Sequence, residues 1–381
     1  MKLLRGARVP AVTLIVSLAS LLWIGTIFVH SATTGAEVPF PGAQAREHFQ
    51  RIAFGMVFLS FFLVFDYRQL KHLAPLLYAA GLGLLCYLLV TKYVSSQGVV
   101  RWIRFGYLNL QPAELLKVFT VLLLARVLIP GRRPPQNWDQ LLPFLIVGVP
   151  TVLVSLQPDL GTALVMPPAL VAMLWTSGIS GRRLFNYGAI AAALMPAAWF
   201  VLHEYQRMRL RVFLNPYEEN PIIREASFQL RQSITAIGSG GTWGKGVGLG
   251  TQNYLGYLPE GHNDFIFAVI GEEWGLVGTL SVVALYLLLY VSCFAIAYRT
   301  REPFGRLVVV GITAELMFQT FINIAMTTGW APVTGLPLPF VSWGGTALFV
   351  YLAALGIILG IALRPVRMVT PDGLQHGTSF R

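Results

Sequence analysis

The stretch Gly275-Leu276-Val277-Gly278-Thr279-Leu280-Ser281-Val282-Val283-Ala284-Leu285-Tyr286-Leu287-Leu288-Leu289-Tyr290-Val291-Ser292-Cys293-Phe294-Ala295-Ile296-Ala297-Tyr298 carries no charge, and Arg299 ends it. A helix rises about 1.5 Å per residue, so roughly 20 apolar residues cross the hydrocarbon core of a bilayer. In that solvent the backbone must satisfy its own hydrogen bonds, which a helix does. The stretch is read as a membrane-spanning helix.

Working outward, the pattern recurs, giving ten spans at 11–30, 52–66, 73–91, 113–130, 139–156, 160–176, 184–202, 275–298, 305–328 and 343–363. Composition agrees: the 381 residues are 55% hydrophobic and 12% charged, against about 25% charged in a soluble domain. This is an all-α polytopic integral membrane protein, with residues 1–381 forming a single membrane domain. The first run is long enough to span and no clear small-residue cleavage site ends it, so it is not read as a signal peptide. Cys86 and Cys293 both fall in apolar runs and read as small buried hydrophobes rather than a disulfide or metal framework.

The +11 net charge is explained by its distribution. Basic residues in short loops hold the cytoplasmic side of a membrane. Lys2, Arg5 and Arg8 precede the first span, and Arg68 with Lys71, Arg132 with Arg133, and Arg182 with Arg183 follow on the same side. Arg299, Arg301 and Arg306 come next, and Arg364 and Arg367 follow the last span. Both termini are therefore expected in the cytoplasm, with 31–51, 91–112, 157–159, 203–274 and 329–342 outside. The large outer loop 203–274 is not low-complexity: from His203 to Asp264 it balances six basic and six acidic residues among aromatics. A loop this long is usually functional or disordered, and this composition favours an ordered surface that handles a substrate.

Its end carries the most informative carboxylate. Asp264 lies in Leu258-Pro259-Glu260-Gly261-His262-Asn263-Asp264-Phe265-Ile266-Phe267-Ala268, where a polar segment re-enters an apolar one. An ionisable group at that boundary is a candidate functional residue. The fourth span opens Gln111-Pro112-Ala113-Glu114-Leu115-Leu116-Lys117, and the i,i+3 spacing puts Glu114 and Lys117 on one face. Either they form a helix-end ion pair or they face a cavity where Lys117 meets an anionic ligand. Asp159, in Gln157-Pro158-Asp159-Leu160-Gly161-Thr162, either caps the sixth span or adds a second carboxylate to the same outer cavity.

Arg101-Trp102-Ile103-Arg104 sits outside, against the positive-inside trend. It reads as an interfacial anchor or, more sharply, as guanidinium forks for a diphosphate. Arg207, Arg209, Arg211, Arg224 and Arg231 are further cations of the outer loop. Gly238-Ser239-Gly240-Gly241-Thr242-Trp243-Gly244-Lys245-Gly246 lacks the P-loop glycine and Ser/Thr positions and reads as turns. Glu315, Gln319 and Asn323 form an i, i+4, i+8 stripe expected to pack helices together. Glu272 and Glu273 are interfacial or help shape the site, and His262 alone is a weak metal ligand.

With these blocks in place, and with Thr334-Gly335-Leu336-Pro337-Leu338-Pro339-Phe340-Val341-Ser342-Trp343-Gly344-Gly345-Thr346 following in order, the chain resembles the SEDS family (shape, elongation, division and sporulation proteins). It is more similar to the elongation branch than to the division branch in Gln157, in Gly250-Thr251-Gln252 and in Leu336-Pro337-Leu338-Pro339. Asn263, Trp274 and Trp343 depart from the family's usual residues.

The resemblance implies ten transmembrane helices with a large extracellular loop between helices 7 and 8. It also implies a peptidoglycan glycosyltransferase that polymerises lipid II into β1,4-linked glycan on the outer face of the bacterial cytoplasmic membrane. By that resemblance Asp264 is the catalytic base, and Lys117, with Arg101, neutralises the leaving diphosphate. Glu114 and Asp159 then orient these groups or, with Asp264, hold a divalent cation such as Mg2+ or Mn2+; no organic cofactor is implied. The implied partner is a class B penicillin-binding protein, the transpeptidase that cross-links the glycan. The competing readings are a lipid II flippase, the division-type homologue, and a non-catalytic scaffold.

Overall fold

The computed structural model describes residues 2–34, 38–94, 101–105, 108–129, 137–218, 220–258 and 260–364. Arg132, Arg133 and Arg367 of the charge reading, and Pro259 of the Asp264 motif, lie outside the described residues. The chain is helical almost throughout. In order it forms α1 (Lys2–Thr34), α2 (Ala43–Val64), α3 (Tyr67–Val94), a short antiparallel ribbon of β1 (Ile103–Phe105) and β2 (Leu108–Leu110), α4 (Pro112–Val127), α5 (Asn137–Leu156), α6 (Leu160–Thr176) and α7 (Gly181–Val201). The long segment after α7 folds into α8 (Glu204–Leu214), α9 (Pro221–Ala226), α10 (Phe228–Ser239) and α11 (Thr251–Tyr254). Then come α12 (Ile266–Arg299), α13 (Pro303–Thr327) and α14 (Gly345–Leu363).

Every expected span falls on one of these helices. Among the described residues, six helices are long and apolar enough to cross a membrane: Val9–Thr34, Ala43–Val64, Tyr67–Thr91, Ile266–Arg299, Pro303–Thr327 and Gly345–Leu363. Leu141–Leu156 and Leu160–Thr176 are shorter apolar helices. Most of α13 and α14 is buried, so they form the centre, against which α6, α12 and α2 pack. Side chains that must face outward here are apolar, such as Phe185 on α7 and Leu287 on α12, as a lipid solvent requires. Cys293 is buried as expected, whereas Cys86 is exposed on the outer face of α3, because an apolar run in a membrane protein is as free to face lipid as core.

The basic turns gather at one end. Arg364 donates to the carbonyls of Leu63, Val64 and Phe65, and Arg126 Nη1 donates to Lys71 O at 2.9 Å. Glu302 caps α13 by accepting from Gly305 N at 2.5 Å, and Tyr67 packs beside Gly305.

The sequence boundary at 275 coincides with a break inside α12, where Gly275 has φ 66° and ψ −158°. The helical turns before it, Ile266 to Glu273, are buried rather than part of a solvated loop. A break strands backbone groups that must find partners. The glycine-rich turn supplies them: Lys245 N and Gly246 N donate to Glu272 O and Glu273 O, at 3.0 and 2.9 Å, while Leu276 N and Val277 N donate to Gly241 O and Thr242 O, at 2.9 and 3.2 Å. The chains cross so closely that a Cβ on Gly244 would stand 2.1 Å from Glu273 O, and one on Gly275 would stand 2.4 Å from Gly244 N. Gly275→Ala is therefore expected to cost about 2 kcal/mol or more, through left-handed strain plus the clash. Gly238→Ala, inside α10 where a Cβ meets nothing within 4 Å, should be neutral or slightly stabilising. Thermal unfolding of both variants in detergent checks the contrast; equal melting temperatures would contradict it.

Candidate functional site

At the end of the bundle away from the basic turns, three polar segments converge. The first is the start of α6. Asp159 caps this helix, accepting from Thr162 N at 3.3 Å and from Thr162 Oγ1 at 3.1 Å, and it also accepts from Gln111 Nε2 at 2.9 Å. Arg101 holds the same turn, donating Nε to Gln157 O at 3.1 Å and Nη2 to Pro158 O at 2.8 Å. The second is the start of α4, where Pro112 occupies the first turn and needs no helical partner for its nitrogen. Glu114 is buried there and pairs with Lys117 Nζ at 2.9 Å.

The third segment carries Asp264. Its loop is closed by Phe265 N donating to Glu260 O at 3.1 Å, with Leu258 and Phe265 buried on either side. It is stitched to the 334–346 segment: Trp343 N donates to His262 O at 3.1 Å, and Ser342 Oγ donates to Asn263 O at 2.7 Å. Asn323 reaches up from α13 and donates to both Asp264 O (2.9 Å) and Leu336 O (2.7 Å). Gln319, one turn below, donates to Pro337 O at 2.9 Å. Gln319 and Asn323 of the α13 stripe thus fasten the two site loops to the membrane core, in addition to the packing between helices expected of the stripe.

These segments enclose a cavity of about 630 Å³ whose walls include Arg101, Gln111, Glu114, Asp159, Asp264 and Thr346. Lys117 is not on this wall. It lies deeper among Glu315, Gln319 and Tyr351, donating to Gln319 Oε1 at 3.1 Å, so the i,i+3 pair points inward with only Glu114 touching the cavity. Among the described residues none of the five loop arginines lines the cavity, although Arg209, which donates to Val333 O at 2.8 Å, is near enough to act on Asp264. Glu272 and Glu273 do not line it either. Glu272 accepts from Lys245 Nζ at 2.6 Å and Glu273 from Gly248 N at 3.1 Å, so they pin the glycine-rich loop.

The Asp264 carboxyl is half-buried, and its Oδ1 is out of solvent with no hydrogen-bond partner. Desolvation by burial raises its pKa from 3.8 to about 7; Glu260 and Asp159 push the same way and Arg209 opposes them. A base near neutrality holds its proton weakly enough to be empty at physiological pH and strongly enough to take one from a hydroxyl. Among the described residues no three carboxylates, histidines or cysteines converge as a metal-binding group. Asp159 spends its oxygens on Thr162 and Gln111, and Glu114 is paired with Lys117. Among the described residues these donors do not by themselves group into the divalent site that the resemblance implied.

Several wall residues were absent from the sequence-based candidates, and two of them carry chemistry. Arg51, assigned to an outer loop but lying on α2, and Trp343, noted only as a departure, both line the cavity. The signal was faint: one arginine at the edge of an apolar run.

The family model for cell cycle proteins of the FtsW, RodA and SpoVE type matches residues 12–365. The peptidoglycan glycosyltransferase MrdB of Escherichia coli K12 is 38% identical over 354 residues, covering 92% of each chain. A chain from a solved peptidoglycan synthase complex, in which polymerization and crosslinking are coordinated, superposes with a TM-score of 0.76 at 30% identity, covering 92% of this chain and 96% of that one. The rod shape determining protein RodA of Thermus thermophilus gives a TM-score of 0.67 at 30% identity, covering 92% and 95%.

Proposed function

The chain belongs to the SEDS family of cell cycle proteins and to its RodA-like elongation branch, and we propose that it is a peptidoglycan glycosyltransferase with Asp264 as its general base. The observation that carries the assignment is the desolvated Asp264 carboxyl on the wall of a cavity large enough for a sugar-sized ligand.

The donor is lipid II, a sugar α-linked to undecaprenyl diphosphate, and the product linkage is β1,4. One inversion needs one in-line displacement: the acceptor hydroxyl attacks the anomeric carbon as the diphosphate leaves with the bonding pair. Asp264 takes the hydroxyl proton. Asp159, through Gln111 and the α6 cap, and Glu114, through Lys117, hold the cavity wall in place around it. Arg101 keeps the Asp159 turn closed and leaves Nη1 for the ligand. The cavity lies at the end opposite the basic turns, which supports an arrangement of ten spans with both termini cytoplasmic, residues 203–274 outside and the site on the outer face of the cytoplasmic membrane. The relative from a peptidoglycan synthase complex supports a cross-linking partner, a class B penicillin-binding protein, for this chain as well.

A divalent cation remains a proposal for the cofactor, with part of its oxygen shell supplied by the substrate's diphosphate. A polymerisation rate indifferent to chelation and to added magnesium or manganese would end it. Because the base must be unprotonated, the rate should climb with pH through about 7 and then level off; a profile flat from pH 5 to 9 would contradict that. The test of the function is polymerisation of lipid II by protein purified in detergent with its partner. Detergent leaves no bilayer to cross, so product there excludes a pure flippase, and absence of product despite a folded protein would sink the enzyme.

A further inference from the structure

The cavity walls carry Glu47, Glu114, Asp159 and Asp264, against only two cations among the described residues, Arg51 and Arg101. A diphosphate entering this space would meet a net negative lining unless a guanidinium is released to it. Arg101 has Nε and Nη2 committed to backbone carbonyls of the Asp159 turn and offers an anion Nη1 alone, not a free fork. Lys117 is enclosed beneath the wall and paired.

Arg51 is built differently. Its Nη1 donates to Trp343 O at 2.8 Å, and its guanidinium carbon lies 3.8 Å from the centre of the Trp343 ring. A stacked, hydrogen-bonded guanidinium has little rotamer freedom left to lose on binding. Trp343 is itself fixed by its backbone bond to His262, so Arg51 is tied to the loop that carries Asp264. The other end of the fork, Nη2, contacts Glu47 Oε1 at 2.6 Å, and Glu47 is 48% exposed. An ion pair with one partner that open to water contributes little and exchanges readily. A phosphate group presents more charge and matches the fork with two oxygens. The uncapped first turn of α14, at Gly344 and Gly345, lines the same wall and adds positive potential.

We propose that Arg51, held by Trp343, is the cation that binds the polyprenyl diphosphate in the cavity, and that Glu47 is the exchangeable carboxylate it gives up when that anion arrives. The identity of the lipid rests on the glycosyltransferase reading; the anion-binding role is scored without turnover, so the two fail separately.

The experiment measures binding of undecaprenyl diphosphate, with undecaprenol as the uncharged control, to native protein, Arg51→Gln, Arg51→Lys and Glu47→Gln in nanodiscs. Arg51→Gln should weaken diphosphate binding about tenfold or more, as loss of a charge-assisted hydrogen-bond set implies. Arg51→Lys should fall between it and native, keeping the charge without the fork. Glu47→Gln should bind roughly two- to fivefold tighter, since the competing carboxylate is gone. Undecaprenol should not distinguish the variants. Free inorganic pyrophosphate, added as competitor, should displace the lipid from native protein and less well from Arg51→Gln. Native-like diphosphate binding by Arg51→Gln overturns the proposal, and so does equal loss of undecaprenol. Should Arg51→Gln fail to fold, Glu47→Gln decides alone: unchanged or weaker binding there rejects the exchange. Native polymerisation with these outcomes reversed would leave the enzyme standing and the Arg51 role refuted.

Discussion

Asp264→Asn should fold, retain its cavity and make no detectable glycan. The substitution keeps shape and removes the proton acceptor, a change worth about 10²–10⁴-fold in reactions that use a positioned base. Stability separates this from collapse. The folded pKa of Asp264 is raised from 3.8 to about 7, so the native state holds a proton that the unfolded chain has already lost. Its contribution is therefore fully present below pH 3.8 and disappears as pH rises through about 7. Above pH 7 the native protein carries a poorly solvated charge that the Asn variant lacks. Asp264→Asn should then unfold at the same temperature as native protein or higher at pH 8, with the difference shrinking toward pH 5. A lower melting temperature at pH 8 would show a structural role for the carboxylate.

Lys117→Met should be the most damaging change to the fold itself. Both Lys117 and Glu114 have side chains 3% exposed, and Glu315 lies beside them with its Oε1 unpartnered. Lys117 is thus the cation paired with Glu114 in a pocket that Glu315 shares. Removing it strands the Glu114 charge in the membrane core, and breaking a buried pair this way costs about 3–5 kcal/mol. The double variant Lys117→Met/Glu114→Gln should recover part of that loss, because the orphaned charge goes with its partner. Thermal unfolding of the single and double variants in detergent reads both effects. A Lys117→Met protein as stable as native but unable to bind undecaprenyl diphosphate would instead place the ammonium on the ligand.

The helices were legible because their signal is solvent-driven: uninterrupted apolar runs mark 11–30, 160–176, 275–298 and 343–363, and structure and sequence agree within a few residues at most of their ends. The boundary at 275 was visible too, although its cause was not: the break needs a glycine turn some thirty residues earlier to satisfy its freed carbonyls. Helices α8 to α11 and the strands β1 and β2 were hidden in segments of mixed polarity with no membrane-length pattern. At the site, Asp264, Asp159, Glu114 and Arg101 could be named as candidates, since each is a charge out of place in an apolar chain, and all four line one cavity. Which way Glu114 and Lys117 point could not be read from i,i+3 spacing, which sets a shared face and not what that face meets. Arg51 escaped for a related reason: its role depends on Trp343, nearly three hundred residues away.

The Asp264 carboxylate is the centre of the proposed chemistry. Its most direct test is the product ladder formed from lipid II, in detergent and with the proposed transpeptidase partner present, by native protein and Asp264→Asn of equal folded concentration. Long glycan from the native protein and none from the Asn variant is the predicted result; ladders of equal length and intensity would contradict it.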